Sequence, residues 1–316
     1  MKVLVYGAGA MGLYFAGRLA QAGHEIYLKT RSEWGEPTLT LQSPYQTNEV
    51  VALSGIFTEV PESLDVDVVI LATKAWQISD VVKDLRGKIS SGAAILTVQN
   101  GITAPENASE CLEESSIVAS TCVVIVQRTA PGVVKLLGHE AKLVAGEFVS
   151  RNGKGLSTVI ALFKNTPIDL TGTDDIRRAL WKKLALISSY GAVGAVSNLS
   201  VGQTRSHEST RQMVRDSMDE CAQVARAHGV NVTESDIADI FAIYTDGFEE
   251  ATTSSMQRDL AEGRPSELED QVGEVVRRAH TVGVEAPTQN FMYRVLLARE
   301  EIARNGRTAK TVEATN

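Results

Sequence analysis

The sequence predicts an α/β protein. A doubly wound, mostly parallel sheet is expected over residues 1–172, followed by an all-α domain over 173–316. Three observations predict this. Short apolar runs alternate with helical patterns through the first half, as in βαβ units. A glycine-rich turn follows the first of those runs directly. After Gly172 the strand-like runs stop and long helical periodicities take over. A chain of 316 residues has the length of about two domains.

In order, Val3–Tyr6 reads as a buried strand, and Met11–Gln21 as a helix stopped by Gly23. Glu25–Leu28 is a second strand, Val66–Leu71 a third and Ala93–Val98 a fourth, with a helix over Ile78–Leu85. Continuous apolar strands of this kind fit a sheet covered on both faces. Residues 117–147 turn β-rich, with turn signals at Pro131-Gly132 and Gly138. A helix near Leu156–Lys164 and a strand over Ile168–Leu170 complete this half. Beyond Gly172, helices are expected over Arg178–Val196, Thr210–His228, Thr233–Tyr244, Glu267–Thr281 and Thr288–Ala303. Gly229 stops the second of these, and Thr233 with Asp236 caps the third. The polar tail after Asn305 reads as frayed.

Composition narrows the function. The net charge of −8 disfavours nucleic acid and anionic membrane as partners. No run reaches ~18 apolar residues, so no membrane helix is expected. Met1–Val5 enters the glycine turn without a basic, then apolar, leader, and a cytoplasmic protein is expected. Cys111, Cys122 and Cys221 form no CxxC pair, and the five histidines show no HxxH or HxxxH spacing, so neither disulfide nor metal is expected.

The turn Gly7-Ala8-Gly9-Ala10-Met11-Gly12 has the GxGxxG spacing between a strand and a helix. The first glycine permits the tight turn, the second lets the backbone approach a pyrophosphate, and the third lets helix and strand pack closely. The helix N-terminus then offers its N–H groups to phosphate. An enzyme that uses NAD commonly ends its second strand with Asp or Glu for the ribose 2′-OH. Here the run is Leu28-Lys29-Thr30-Arg31-Ser32, with no acid before Glu33. Lys29 and Arg31 suit a 2′-phosphate, which makes NADPH the expected cofactor.

Lys74-Ala75-Trp76-Gln77 and Gln99-Asn100-Gly101 each follow a strand at its carboxyl end, where open α/β sheets bind ligands. Further on stand Ser254-Ser255-Met256, Asp259 and Arg264-Pro265-Ser266-Glu267. With the N-terminal turn, these segments resemble the ketopantoate reductases (2-dehydropantoate 2-reductases). The likeness implies a Rossmann-type domain and a helical, 6-phosphogluconate-dehydrogenase-like domain with substrate between them. It implies reduction of a 2-keto acid by NADPH, in pantothenate biosynthesis. It makes Lys183, in Trp181-Lys182-Lys183-Leu184, the proton donor, and Ser255 a contact for the substrate carboxylate. It sets Glu267 beside cofactor and substrate, and gives Lys74 and Asn100 contacts to them, with Gln77 and Arg31 on the cofactor. A cation beside the keto oxygen stabilises the charge that develops there and supplies the proton.

The resemblance breaks on the helix after Lys183. The family's two substrate-binding asparagines correspond to Ile187 and Gly191, which donate no side-chain hydrogen bond. Ser188 and Ser189 are nearby, but a shift of even one residue turns a side chain ~100° around a helix. A different keto acid with a more apolar side chain, an imine, or a regulator that binds NADP without turnover are the alternatives. Ser255 could instead cap a helix, and Asn100-Gly101 could be a simple turn. Lys182 reads as an ion-paired or solvated lysine. A homodimer is expected, through long helices such as Thr210–His228.

Overall fold

The computed structural model describes residues 1–44, 46–112, 115–151 and 153–313. The chain divides into two compact units. The first comprises Met1–Gln99 and Thr103–Ile176, the second Asn100–Ile102 and Arg177–Asn316.

The first unit runs β1 (Lys2–Tyr6), α1 (Ala10–Gln21), β2 (Glu25–Lys29), β3 (Thr38–Ser43), β4 (Gln46–Ala52), β5 (Gly55–Phe57), β6 (Val68–Leu71), α2 (Ile78–Leu85) and β7 (Ala94–Thr97). It continues through α3 (Thr103–Cys111), β8 (Ser116–Val123), β9 (Val126–Ala130), β10 (Val133–Leu136), β11 (Lys142–Val149), α4 (Gly155–Phe163) and β12 (Asp169–Gly172). The main sheet has the order β12-β11-β8-β7-β6-β1-β2-β5. Strands β5 to β8 across this sheet run parallel, β11 returns antiparallel, and β12 is parallel to β11. Alternation along each strand builds two cores. Val3 and Val5 join Leu13, Phe15 and Phe163 on one face, while Leu4, Val69 and Leu71 join Ile78, Val82 and Leu85 on the other. The strand order reverses beside β1, so the carboxyl ends of β1 and β6 flank the crevice where such sheets bind ligands.

A second sheet, β4-β3-β10-β9, packs over α1. Gly17 makes this possible, because a methyl there would lie 2.7 Å from Leu41. At the same helix, buried Arg18 pairs with Glu140, and the Tyr14 hydroxyl donates to Glu140 at 2.6 Å. Pro131-Gly132 forms the β9–β10 turn, as expected, whereas β3, β4 and β5 were not anticipated.

The second unit is helical: α5 (Ile176–Ser197), α6 (Val201–Ser206), α7 (Glu208–Ala227), α8 (Glu234–Ala242), α9 (Ser255–Ala261), α10 (Glu274–Val282) and α11 (Pro287–Glu313). Thr233 caps α8 in a reciprocal box with Asp236. Glu220 of α7 accepts the Thr288 and Gln289 N–H groups at 2.9 Å each, and so satisfies the first turn of α11. Two expected helices are modified. The one after Thr233 passes into a π turn over Ile243–Gly247, and α10 is preceded by a π turn over Glu269–Gly273. The tail expected to fray from residue 306 continues α11 to Glu313, and 314–316 lie outside the described residues. Among the described residues no helix is long and apolar enough to cross a membrane.

Candidate functional site

Each glycine of the N-terminal turn meets a different constraint. Gly7 has φ +115°, and a Cβ there would lie 2.9 Å from the Thr73 side chain and 3.0 Å from the Ala72 carbonyl carbon. Gly12 faces back on the turn, where a methyl would collide with the Gly7 carbonyl. Gly9 is the N-cap of α1, and a Cβ on it would meet only the Ala72 carbonyl oxygen at 4.0 Å. Having no side chain, Gly9 caps none of the first-turn N–H groups, which Ala10, Met11 and Gly12 carry. A tight turn, a close helix–strand approach and open space over a helix N-terminus together fit a dinucleotide pyrophosphate.

Surrounding side chains brace this turn. The Gly7 N–H donates to the Lys29 carbonyl at 3.0 Å, so the turn is tied to the end of β2. Gln99 donates through Nε2 to the carbonyls of Leu71 (2.5 Å) and Thr73 (2.9 Å), which joins the carboxyl ends of β6 and β7. Arg128 of β9 donates to the Ala8 carbonyl at 3.2 Å. Of the two cations at the end of β2, Lys29 turns inward, 5.2 Å over the Tyr6 ring and bonded to the Thr30 carbonyl. Arg31 is exposed. Lys74 precedes a 3₁₀ turn, Ala75–Gln77, whose Gln77 accepts the Lys74 N–H at 3.2 Å. The Lys74 ammonium lies 5.7 Å over the Trp76 ring.

In the helical unit, Asn100 and Glu267 are brought together. The Asn100 amide donates to Glu267 Oε2 at 3.2 Å, and Gln271 donates to the same oxygen at 3.4 Å. Glu267 is buried, 5 % exposed. Its approach is fixed by Glu300, a buried carboxylate of α11 that accepts both the Ser266 N–H and the Ser266 hydroxyl (2.6 Å). Arg304 pairs with Glu300 at 2.7 Å. Asn100-Gly101 is more than a turn: Gly101 has φ +94°, and a Cβ on it would press within 2.7 Å of the Asp270 carbonyl oxygen.

Asp270 sits three residues beyond Glu267, and its Oδ2 is buried without a partner. Burial first, and the charge of Glu267 second, push its carboxyl up to about 6. A raised carboxyl favours the protonated folded state. Its stabilising contribution is intact below the ordinary value of 3.8 and is lost as pH rises through about 6. Asp270→Asn is therefore expected to remove a loss of about 1–3 kcal/mol and to be the more stable protein at neutral pH. Thermal melts across this pH range check it, and a variant less stable than its parent at pH 7 would contradict it.

The first turns of α5 are pinned. Arg178 donates to both oxygens of Asp236, at 2.8 and 3.0 Å, and Lys182 pairs with Asp236 at 2.8 Å. Burial alone would raise the Asp236 pKa, but hydrogen bonds from Lys182, Thr233 and Arg178 hold it well below the usual carboxylate range. Lys182 is thus ion-paired, and Lys183 projects ~100° away from it. Further along Lys183's face, Ile187 is buried and Gly191 lies under the N-terminus of α9. A Cβ at 191 would come within 2.9 Å of Ser254 Oγ and 3.5 Å of Met256 Cε. Ser254, not Ser255, caps α9, accepting the Gln257 N–H at 3.0 Å. Ser255 is the first helical residue, so capping does not account for it. Ser188 and Ser189 are fully buried, and Ser188 accepts from the Gln289 amide at 3.1 Å.

Sequence reasoning missed Glu300, Asp270, Arg128 and the bracing role of Gln99. Only Glu300 left a signal, a carboxylate among the inward positions Leu296 and Ala303 of α11. Among the described residues, no cluster of three or more His, Cys, Asp or Glu side chains is placed to hold a metal ion.

Comparison with known proteins gives a consistent picture. Residues 3–150 match the family model described as ketopantoate reductase PanE/ApbA, and residues 175–300 match its C-terminal model. A 2-dehydropantoate 2-reductase of Halobacterium salinarum is 28% identical, covering 91% of this chain and 95% of its own. The crystal structure of a PanE/ApbA family ketopantoate reductase from Ralstonia eutropha JMP134 is 27% identical, covering 96% of this chain and 100% of its own at a TM-score of 0.84. A D-mandelate dehydrogenase, solved with NADH and anilino(oxo)acetate, has the same fold at 22% identity, with a TM-score of 0.84 over 96% of this chain and 99% of its own.

Proposed function

Because this chain belongs to the ketopantoate reductase PanE/ApbA family, we propose that it reduces a 2-keto acid to the 2-hydroxy acid with NADPH. The observation that carries the proposal is the glycine turn, whose Gly9 leaves the α1 N-terminus open over the crevice between β1 and β6. Bound NADPH would supply the hydride. The chain's own residues bind, orient and protonate. Ala10, Met11 and Gly12 offer N–H groups to the pyrophosphate. Arg31 receives the 2′-phosphate, and Lys74 and Gln77 hold the cofactor near the end of β6. Lys183 stabilises the charge on the keto oxygen and donates the proton. Ser255 takes the substrate carboxylate, and Asn100, aligned by Glu267, orients the reacting carbonyl.

Arg31→Ala is expected to weaken NADPH binding about tenfold while leaving NADH binding unchanged. Fluorescence titration of both cofactors tests this, and a wild-type protein that binds them equally would overturn the cofactor assignment.

The family name points to ketopantoate. A specific observation favours a second reading, a 2-keto acid with a more apolar side chain. Ile187 is buried, Gly191 is roofed by Ser254, and Met256 closes the same wall. A polar substrate group left unpaired against such a wall costs about 1–3 kcal/mol. A panel of ketopantoate, 2-oxoisovalerate and phenylpyruvate, followed by NADPH absorbance, decides. Higher kcat/KM for ketopantoate than for the others would sink the second reading. Tight NADPH binding with no turnover on any of the three would sink the reductase assignment.

A further inference from the structure

We propose that Tyr190 is a substrate-binding residue whose hydroxyl donates a hydrogen bond to the carboxylate of the 2-keto acid. This rests on the reductase reading above.

Tyr190 stands seven residues after Lys183, so the two share one face of α5, about 10 Å apart along the axis. Leu186, Ile187, Gly191 and Gly194 share that face, and none of them has a side-chain donor. Both glycines are covered from outside, Gly191 by Ser254 and Gly194 by Gln257, which donates to its carbonyl at 3.1 Å. The face therefore carries a cation at Lys183 and a phenol at Tyr190, with buried Ile187 between them and the two covered glycines beyond the phenol.

The Tyr190 ring is held, packed at 5.0 Å and 51° against Phe248. Its hydroxyl has no hydrogen-bond partner among the described residues, nor is it a sealed, orphaned atom. A fixed ring with an uncommitted hydroxyl is an economical binding group, because little side-chain freedom remains to be lost on binding. Burial pushes the hydroxyl above the ordinary tyrosine value, so it stays a donor across the working pH range. Arg258, in the last turn of α9, is close enough for its charge to act on Tyr190, which favours an anion at this point. A substrate carboxylate meets both demands, a donor and a nearby positive charge.

The test is Tyr190→Phe, which keeps the ring on Phe248 and removes one oxygen. With 2-oxoisovalerate and saturating NADPH, KM is expected to rise about tenfold or more, with kcat within about twofold. NADPH affinity by fluorescence and the melting temperature should be unchanged. The methyl ester of the same keto acid, whose uncharged carbonyl is a weaker acceptor, should show a clearly smaller rise in KM than the acid. An unchanged KM for the acid would overturn the assignment while leaving the reductase reading standing. An equal rise in KM for acid and ester would overturn it too, by making Tyr190 a packing residue. Absence of turnover on every keto acid by the wild type would overturn the reductase reading and this inference with it.

Discussion

Replacing Lys183 with alanine is expected to cut kcat for 2-keto acid reduction by about 100- to 10,000-fold while leaving NADPH affinity within about twofold. The loss combines two roles, charge stabilisation at the keto oxygen and donation of the proton. The neighbouring Lys182 offers no rescue, because it is engaged with Asp236 at 2.8 Å and Asp239 at 3.7 Å. Its direction is also set, since Arg178 and Thr233 bind the same Asp236 carboxylate. Single-turnover kinetics with premixed NADPH separate chemistry from binding. Turnover within a few-fold of the parent would remove Lys183 from the mechanism.

Gly12→Ala is expected to lower NADPH affinity by at least about 100-fold and to cost about 1–3 kcal/mol of stability. The new methyl would collide with the Gly7 carbonyl and would sit 3.3 Å from Ala72 Cβ, so α1 must retreat from β1. Retreat carries the N–H groups of Ala10 and Met11 away from the crevice. Gly9→Ala is the informative partner. Its methyl meets only the Ala72 carbonyl oxygen at 4.0 Å, so the fold is kept, but the methyl fills the space a pyrophosphate needs. Isothermal titration with parallel melts should show affinity lost in both variants and stability lost only in the first. Full affinity in Gly9→Ala would place the phosphates elsewhere.

Features written in local residue chemistry were legible in the sequence. Ile78–Leu85 is helical over the span its periodicity predicts, and the Thr233–Asp236 cap forms as its spacing requires. The glycine turn is legible because each glycine answers a different steric demand within a few residues. What stayed hidden depends on distant partners. β3 and β4 look like polar loop in isolation and become strands because β3 pairs in parallel with β10, some ninety residues on. The π turns at 243–247 and 269–273 read as ordinary helix, since their extra residue is set by packing. The side of Ser254-Ser255 that caps α9 could not be read from two identical residues. The sequence showed a glycine at 191, but not that Ser254 packs against it.

That last contact constrains how this chain can change. Residues 191 and 254 are sixty-three positions apart, yet neither is independent of the other. An asparagine introduced at 191 first would strike the Ser254 side chain 2.9 Å away and displace the start of α9, where Ser255 begins the helix. Ser254→Gly first would lose a cap at a cost of only a few tenths of a kcal/mol, and would leave room beside 191. The two substitutions thus form a path that is passable in one direction and obstructed in the other. A larger residue at 191 is therefore reached only by an ordered pair of changes, with 254 altered before 191.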